Sequence, residues 1–246
     1  MKKETFKKQF IQVLNKFSQK KNISTLFFDF CHLSACSMSN SVDRANYVLR
    51  EDTYLKIISK YDKTEAGYFP ELLNIVIRAL ENDPFDFLGY VYMDLNISNK
   101  QAGQFFTPSS VSDLMARLTW SNTDDTKLEK DGFIELNDPC VGAGTMVISF
   151  ANLLKTKGHN YQTKLRVTCS DIDSNVLAMT YVQFSLLGID AVCLLGDSLT
   201  MEFTSTWITP LYYLNRAKED HLQKLKKVHS LTEAPVLKTF EQLDLF

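Results

Sequence analysis

The chain has 246 residues, a formal net charge of −2 and 45% hydrophobic residues, which is an ordinary globular composition. This length suffices for one large domain or two modest ones, and no apolar run approaches the roughly 20 residues of a membrane helix. No apolar signal core follows the basic N-terminus, so we expect a cytoplasmic protein with no membrane partner. With so small a net charge, nucleic-acid binding would have to rely on local basic patches.

The cysteines and histidines do not indicate a metal site. Five cysteines are scattered along the chain without a CxxC pair, and the four histidines do not cluster. Structural zinc sites need several such ligands at close spacing. We therefore expect no metal.

The first hundred residues read as helices. Phe6, Phe10 and Phe17 fall on one face of the first helical segment. The segment "DPFDFLGYVYMDL" predicts another helix, with Asp83 as its N-cap and Pro84 at its first position. We predict a helical N-terminal domain over residues 1–100.

From about residue 105 the pattern changes to alternating helices and strands. "TPSSVSDLMARLTW" predicts a helix capped by Ser109 or Ser110. Three short apolar runs follow, "GFIEL", "KLRVTCS" and "AVCLLG", and helical segments separate them. This alternation predicts an α/β fold with a parallel sheet. We predict an α/β domain over 101–215 and a charged helix or linker with a terminal peptide over 216–246.

A glycine-rich turn, "DPCVGAG", follows the first predicted strand. In open α/β sheets, ligands bind beyond the carboxyl ends of the strands, and glycines let the backbone approach them. The turn matches neither GxGxxG nor a phosphate-binding loop, and Asp138 at its mouth would repel a pyrophosphate. A cationic, adenosine-containing molecule fits better, and S-adenosylmethionine has that chemistry.

Acidic residues also end the next two predicted strands. Asp171, with Asp173 as second candidate, would accept hydrogen bonds from ribose hydroxyls. Asp197 would accept one from an adenine amino group, and Ile172 would cover the ring. A single aspartate at a strand end is more often a cap or turn residue, but the order and spacing of all three favour a ligand.

Together these motifs resemble the DNA N6-adenine methyltransferases of the type I modification-subunit kind, over residues from about 84 to 200. "DFLGYVYMDL" and "GQFFTP" are similar to the segment before their catalytic domain, "DPCVGAG" to their D-P-x-x-G-x-G motif, and "SDID" and "GDSL" to their ribose and adenine acids. The resemblance implies a Rossmann-like sheet of seven strands, possibly truncated here, S-adenosylmethionine as cofactor, and DNA as partner in a restriction–modification system. The cofactor residues that it implies are Gln104, Phe105, Phe106, Thr107, Pro108, Asp138, Pro139, Gly142, Gly144, Asp171, Ile172 and Asp197.

The family's catalytic motif, [DNS]-P-P-[YF], is not identifiable, and no Pro-Pro dipeptide occurs in the chain. Such a motif holds the exocyclic amine of a flipped base and stacks an aromatic ring on it. "NDPF" at 82–85 lies before "GQFFTP", in the wrong order, and reads better as a helix start. "TPLYY" at Thr209–Tyr213 is a possible replacement; Trp207, Tyr212 and Tyr213 could stack on a base or pack on the sheet edge. The sequence therefore assigns no catalytic residue.

The last five residues, "QLDLF", resemble the pentapeptide with which bacterial replication and repair proteins dock on the sliding clamp. An extended peptide of this kind places Leu and Phe in apolar pockets. The alternative is a tail that covers the protein's own core. The partner-binding residues predicted here are Gln242, Leu243, Asp244, Leu245 and Phe246.

Two functions are therefore compatible with the sequence. The first is a DNA adenine methyltransferase, acting alone or as a half-enzyme completed by a second methyltransferase or specificity subunit. The second is a catalytically inactive protein of the same fold that binds DNA, the clamp or a partner. The intact cofactor motifs favour the first, and the missing catalytic motif favours the second.

Overall fold

The structure is a computed structural model and describes residues 2–17, 21–81, 84–95 and 107–220. Contacts group Met1–Tyr213 into one unit and Leu214–Phe246 into another. The helices are α1 (Lys2–Leu14), α2 (Ile23–Asn40), α3 (Tyr47–Ile58), α4 (Lys63–Ala66), α5 (Tyr68–Leu80), α6 (Phe87–Asp94), α7 (Ser109–Thr119), α8 (Asn122–Lys130), α9 (Thr145–Thr156), α10 (Tyr161–Lys164) and α11 (Ser174–Leu187). The strands are β1 (Ile134–Asp138), β2 (Leu165–Asp171), β3 (Asp190–Asp197) and β4 (Glu202–Ile208), and residues 210–220 are helical.

The sheet confirms the predicted α/β class. Its strand order is β1-β2-β3-β4, and the three strands predicted from the apolar runs pair in parallel. α9 joins β1 to β2 and α11 joins β2 to β3, as in consecutive βαβ units. Leu165, Val167 and Cys169 of β2 are buried, whereas Thr168 between them is exposed. In the part of the chain that the structure describes, one face of the sheet therefore carries the core.

The sheet also contains a fourth strand, β4, which the apolar runs did not predict. It pairs antiparallel with β3, at the sheet edge opposite β1. In its sequence "EFTSTWI", the aromatic residues Phe203 and Trp207 are partly covered, whereas Glu202, Thr204 and Thr206 are exposed. A search for apolar runs misses it because only one face of this edge strand is covered. The described residues thus contain four strands, against the seven that the resemblance implies.

The N-terminal helices confirm the predicted helical region. Phe10 is fully buried, and its ring contacts Phe30 and Phe87 with centroids 5.3 Å and 5.9 Å away. Edge-to-face contacts of this kind add to the burial of apolar area. α1, α2 and α6 therefore share one aromatic core.

The helical layer and the sheet layer also contact each other. α2 packs on α11, where Nε2 of His32 lies 3.0 Å from Oδ1 of Asn175. The guanidinium of Arg50 donates to the carbonyl oxygen of Thr206 on β4 over 2.7 Å. The predicted boundary near residue 100 lies outside the described residues, and the predicted ranges 1–100, 101–215 and 216–246 stay predictions.

Two helix starts differ from the sequence prediction. α6 begins at Phe87 with Asp86 as N-cap, whose carboxylate accepts from the Gly89 N–H over 2.7 Å, so Pro84 is not its first residue. The predicted cap Asp83 lies outside the described residues. α7 follows Pro108 directly, without a side-chain cap from either predicted serine. The first N–H groups of α7 therefore receive no hydrogen bond from a serine side chain.

No helix within the described ranges is long and apolar enough to cross a membrane.

Candidate functional site

Three aspartates end the three parallel strands. Asp138 closes β1, Asp171 closes β2 and Asp197 closes β3. The register places Asp138 opposite Cys169, and Asp171 opposite Leu195. Because the strands are parallel, all three residues lie at the carboxyl edge of the sheet, where open α/β sheets bind ligands.

The glycine turn crosses this edge from β1 toward β2. The Val141 N–H donates to the carbonyl oxygen of Ser170 over 2.9 Å. The Gly142 N–H donates to Oδ2 of Asp171 over 3.0 Å. The structure thus brings together the turn and the acid that the sequence predicted for the ribose, although they are 29 residues apart.

Two glycines of the turn have backbone conformations that favour glycine. φ is +56° at Gly142 and +86° at Gly144. A Cβ on Gly144 would lie 2.5 Å from Cε1 of Phe184. The carbonyl oxygen of Gly142 accepts a hydrogen bond from the Thr180 hydroxyl, which links the turn to α11.

The negative charges of Asp138 and Asp171, beside the glycine turn, are disfavoured by burial. Burial raises the pKa of Asp138, and the charge of Asp171 raises it further, against the Cys140 N–H that donates to Asp138. Burial likewise raises the pKa of Asp171, against the N–H groups of Asp173 and Gly142. Neither carboxylate has a cationic side chain within 4.0 Å among the residues that the structure describes. A cationic ligand would relieve this repulsion.

The remaining acids and Ile172 have distinct local roles. Asp173 is the N-cap of α11, and its carboxylate accepts from the Asn175 N–H over 2.9 Å. Asp197 accepts from the Leu199 N–H over 2.8 Å. Ile172 is 73% exposed, which is unusual for an isoleucine and leaves its side chain open to contact with a ligand.

The predicted cofactor segment Gln104–Pro108 is described in part. Gln104, Phe105 and Phe106 lie outside the described residues. Thr107 and Pro108 line a cavity of about 410 Å³ together with Asp86 and Thr145. Thr145 directly follows Gly144, so this cavity adjoins the glycine turn.

The possible replacement for the catalytic motif has structural contacts. The Thr209 side chain is fully buried; its hydroxyl donates to the carbonyl oxygen of Ile189 over 2.7 Å and accepts from the Ala191 N–H over 2.9 Å. The Trp207 ring lies 4.2 Å from the Arg50 guanidinium and 5.3 Å from the Tyr181 ring. These contacts favour the packing alternative for Thr209 and Trp207. The rings of Tyr212 and Tyr213 contact each other edge-to-face.

A polar cluster that the sequence did not predict lies beside the turn. Asp86 accepts from the Thr145 hydroxyl over 2.6 Å and from the Gln183 amide over 2.9 Å. The available signal was Gln183 itself, the single amide in the largely apolar segment "VLAMTYVQFSLL". Buried amides need partners, so such a residue points to a nearby polar group.

The described residues contain no group of three or more His, Cys, Asp or Glu side chains that could hold a metal ion.

Known structures with some similarity are methyltransferases and restriction–modification enzymes. One is a putative class I S-adenosylmethionine-dependent methyltransferase from Listeria monocytogenes, with 15% identity, a TM-score of 0.41, and coverage of 73% of this chain and 55% of that one. A second is the methyltransferase subunit of a type I restriction-modification system from Streptococcus thermophilus, with 12% identity, a TM-score of 0.38, and coverage of 82% and 60%. A third is the Type ISP restriction-modification enzyme LlaGI in complex with a DNA substrate mimic, with 16% identity, a TM-score of 0.37, and coverage of 90% and 22%.

The chain spans about 55% to 60% of the length of the first two structures. No curated protein matches the sequence. The family model described as N-6 DNA Methylase matches residues 86–214, which is just over half of the chain and includes the glycine turn and all three strand-end aspartates. This chain therefore belongs to the N-6 DNA methylase family.

Proposed function

We propose that the protein binds S-adenosylmethionine at the carboxyl edge of β1, β2 and β3 and takes part in the N6-methylation of adenine in DNA. The observation that carries the proposal is the hydrogen bond from the Gly142 N–H to Asp171. It joins the turn that would admit the cofactor to the acid that would bind its ribose. Family membership supports the use of a methyl donor of this kind.

The residues at this edge suit the cofactor chemically. Asp171 would accept the ribose hydroxyls, Asp197 the adenine amino group, and Ile172 would cover the adenine ring. Asp138 and Asp171 have raised pKa values and no nearby cation among the described side chains, which favours a ligand that carries a sulfonium and an ammonium. When bound, the cofactor supplies an electrophilic methyl group.

The remaining predicted residues would enclose the amino-acid end of the cofactor. Thr107 and Pro108 line the cavity beside Thr145, next to the turn. Gln104, Phe105 and Phe106 would complete that enclosure, and Pro139, Gly142 and Gly144 would shape the turn.

Methyl transfer by the isolated chain should be weak or absent. An exocyclic amine needs positioned acceptors to react, and the chain contains no Pro-Pro dipeptide. The side chains of Thr209 and Trp207 pack within the protein, so they do not replace the missing amine-binding motif. The protein would then work with a second chain that brings an N-P-P-[YF] motif, or bind DNA without chemistry.

Two measurements test this function. Calorimetry should detect binding of S-adenosylmethionine or S-adenosylhomocysteine with a dissociation constant of roughly 1–100 μM, a binding free energy of about 5–8 kcal/mol. No saturation up to millimolar cofactor would refute the cofactor site. A transfer assay with labelled cofactor on mixed-sequence DNA should give little product from the chain alone; abundant N6-methyladenine would show that it is a complete enzyme.

The tail supports a proposal about partners. Gln242–Phe246 lie outside the described residues, and their resemblance to the clamp-docking pentapeptide is the basis for proposing a bacterial sliding clamp as a partner. A specificity subunit of a restriction–modification system is a further proposed partner, in line with family membership.

A further inference from the structure

Asp86 joins the helical layer to the glycine turn. It caps α6, and Oδ1 accepts from the Gly89 N–H over 2.7 Å. The same oxygen accepts from Nε2 of Gln183 over 2.9 Å, and Oδ2 accepts from the Thr145 hydroxyl over 2.6 Å. One carboxylate thus receives hydrogen bonds from α6, α9 and α11, whereas an ordinary N-cap serves only its own helix.

Gln183 extends this contact to the other side of Gly144. Its side chain is fully buried, and its Nε2 also donates to the carbonyl oxygen of Ala143 over 2.9 Å. Its Oε1 accepts from the Leu88 N–H over 2.9 Å. Ala143 and Thr145 flank Gly144, so the cluster holds the turn immediately before and after that glycine.

The hydrogen bonds of this cluster suit a carboxylate. Both oxygens of Asp86 act as acceptors, and the groups that face them are all donors. Asparagine would turn its NH2 group toward Thr145, whose hydroxyl would then have to accept, and it would replace three charge-assisted hydrogen bonds with neutral ones. No cation pairs with Asp86 among the described residues, and burial raises the pKa of its carboxyl group.

We propose that Asp86 is a positioning residue that, through Thr145 and Gln183, fixes the conformation of the glycine turn and thereby the affinity for the cofactor. Thr145 donates its only hydroxyl proton to Asp86, so its oxygen can only accept toward the cavity that Thr107 and Pro108 line. The inference rests on the proposed cofactor site. It adds that a side chain of the helical layer controls that site without touching the ribose or the adenine.

The test uses the full chain and S-adenosylhomocysteine as the probe. Thr145→Val keeps the side-chain shape and removes the hydroxyl, whereas Thr145→Ser keeps the hydroxyl. We expect Thr145→Val and Asp86→Asn each to raise the dissociation constant about tenfold, as loss of a charged hydrogen bond does. Thr145→Ser should stay within about threefold of the wild type, and the exposed control Asp52→Asn should bind like it. The double variant should bind no more weakly than the worse single variant, because both changes break one cluster.

A merely structural role for Asp86 would give a different result. Asp86→Asn and Thr145→Val would then lower the melting temperature but leave the dissociation constant unchanged well below melting, and this would overturn the proposal. Amide hydrogen exchange, measured without ligand, tests the role of Asp86 even if the protein does not bind the cofactor. Peptides over 139–146 should exchange faster in Asp86→Asn, while peptides from α1 and α5 should not. If wild type does not bind the probe, the proposed function fails, and unchanged exchange over 139–146 would show that Asp86 does not fix the turn.

Discussion

The Gly142 N–H donates a hydrogen bond to Oδ2 of Asp171 across 3.0 Å, and Oδ1 of the same carboxylate accepts from the Asp173 N–H over 2.9 Å. Asp171 therefore organises the turn after β1 and its own strand end at once. Each carboxylate oxygen has a second lone pair, which leaves acceptor capacity for ribose hydroxyls.

Replacement of Asp171 should weaken cofactor binding. Asp171→Ala removes the acceptor for the Gly142 N–H and the proposed acceptor for the ribose, so we expect a loss of about 1.5–3 kcal/mol, or roughly 10- to 150-fold in the dissociation constant. Calorimetry with S-adenosylhomocysteine measures it, and Asp52→Ala is the exposed control. Equal affinities of Asp171→Ala and wild type would exclude Asp171 from the site.

The raised pKa of Asp138 predicts how stability depends on pH. Burial, then the charge of Asp171, raises this pKa above its unfolded value, so ionised Asp138 destabilises the folded protein at neutral pH. That cost is absent below the unfolded pKa, near about 3.9, and it is complete above the raised folded pKa. Asp138→Asn should therefore be more stable than wild type at pH 7, and the gain should shrink as the pH falls toward 4. Urea denaturation at several pH values tests this; a gain independent of pH would contradict it.

Gly144 and Gly158 form a matched pair for testing the turn. Their φ angles are +86° and +85°, but a Cβ on Gly144 meets Phe184 at 2.5 Å, whereas one on Gly158 meets nothing within 4 Å. Gly158→Ala should cost about 1 kcal/mol of unfolding free energy for the left-handed backbone alone. Gly144→Ala should cost roughly 1–3 kcal/mol more because of the overlap. Denaturant unfolding compares the two, and equal losses would show that Phe184 moves aside freely.

Arg50 should stabilise the edge strand β4. Its guanidinium donates to Asp43 over 2.6 Å and to the Thr206 carbonyl oxygen over 2.7 Å, and it lies against the Trp207 ring. Arg50→Met leaves the buried Asp43 without its cationic partner, which should cost about 3–5 kcal/mol. For a chain of this size the melting temperature should fall by roughly 10 °C. Arg44→Met, at an exposed position, is the control and should change it little.

Deletion of Gln242–Phe246 should abolish binding to a bacterial clamp without changing the fold. A peptide that docks on a partner contributes little to this protein's own core, so the melting temperature should stay the same. Leu243→Ala or Phe246→Ala should each cost about 2 kcal/mol or more of binding, and Asp244→Ala less. Surface plasmon resonance with the clamp measures this. No binding by the intact protein at about 100 μM, with a lower melting temperature on deletion, would instead support a tail that covers the core.

The sequence by itself determined the three parallel strands and the acids at their ends. Apolar runs bounded by turn residues identify buried strands, and parallel pairing places Asp138, Asp171 and Asp197 at one edge wherever the strands alternate with helices. "DPCVGAG" identified the turn, because only glycine adopts the left-handed backbone of Gly142 and Gly144 without strain.

Only the tertiary structure decided what lies around that edge. β4 has no apolar run, because one of its faces stays open, and it became recognisable only through pairing with β3. Asp86 and Gln183 are 97 residues apart, and nothing in their local patterns indicates that they meet. The local periodicity of a sequence indicates which face of an element is buried. The partner of a buried polar group depends instead on how elements distant in the sequence pack together.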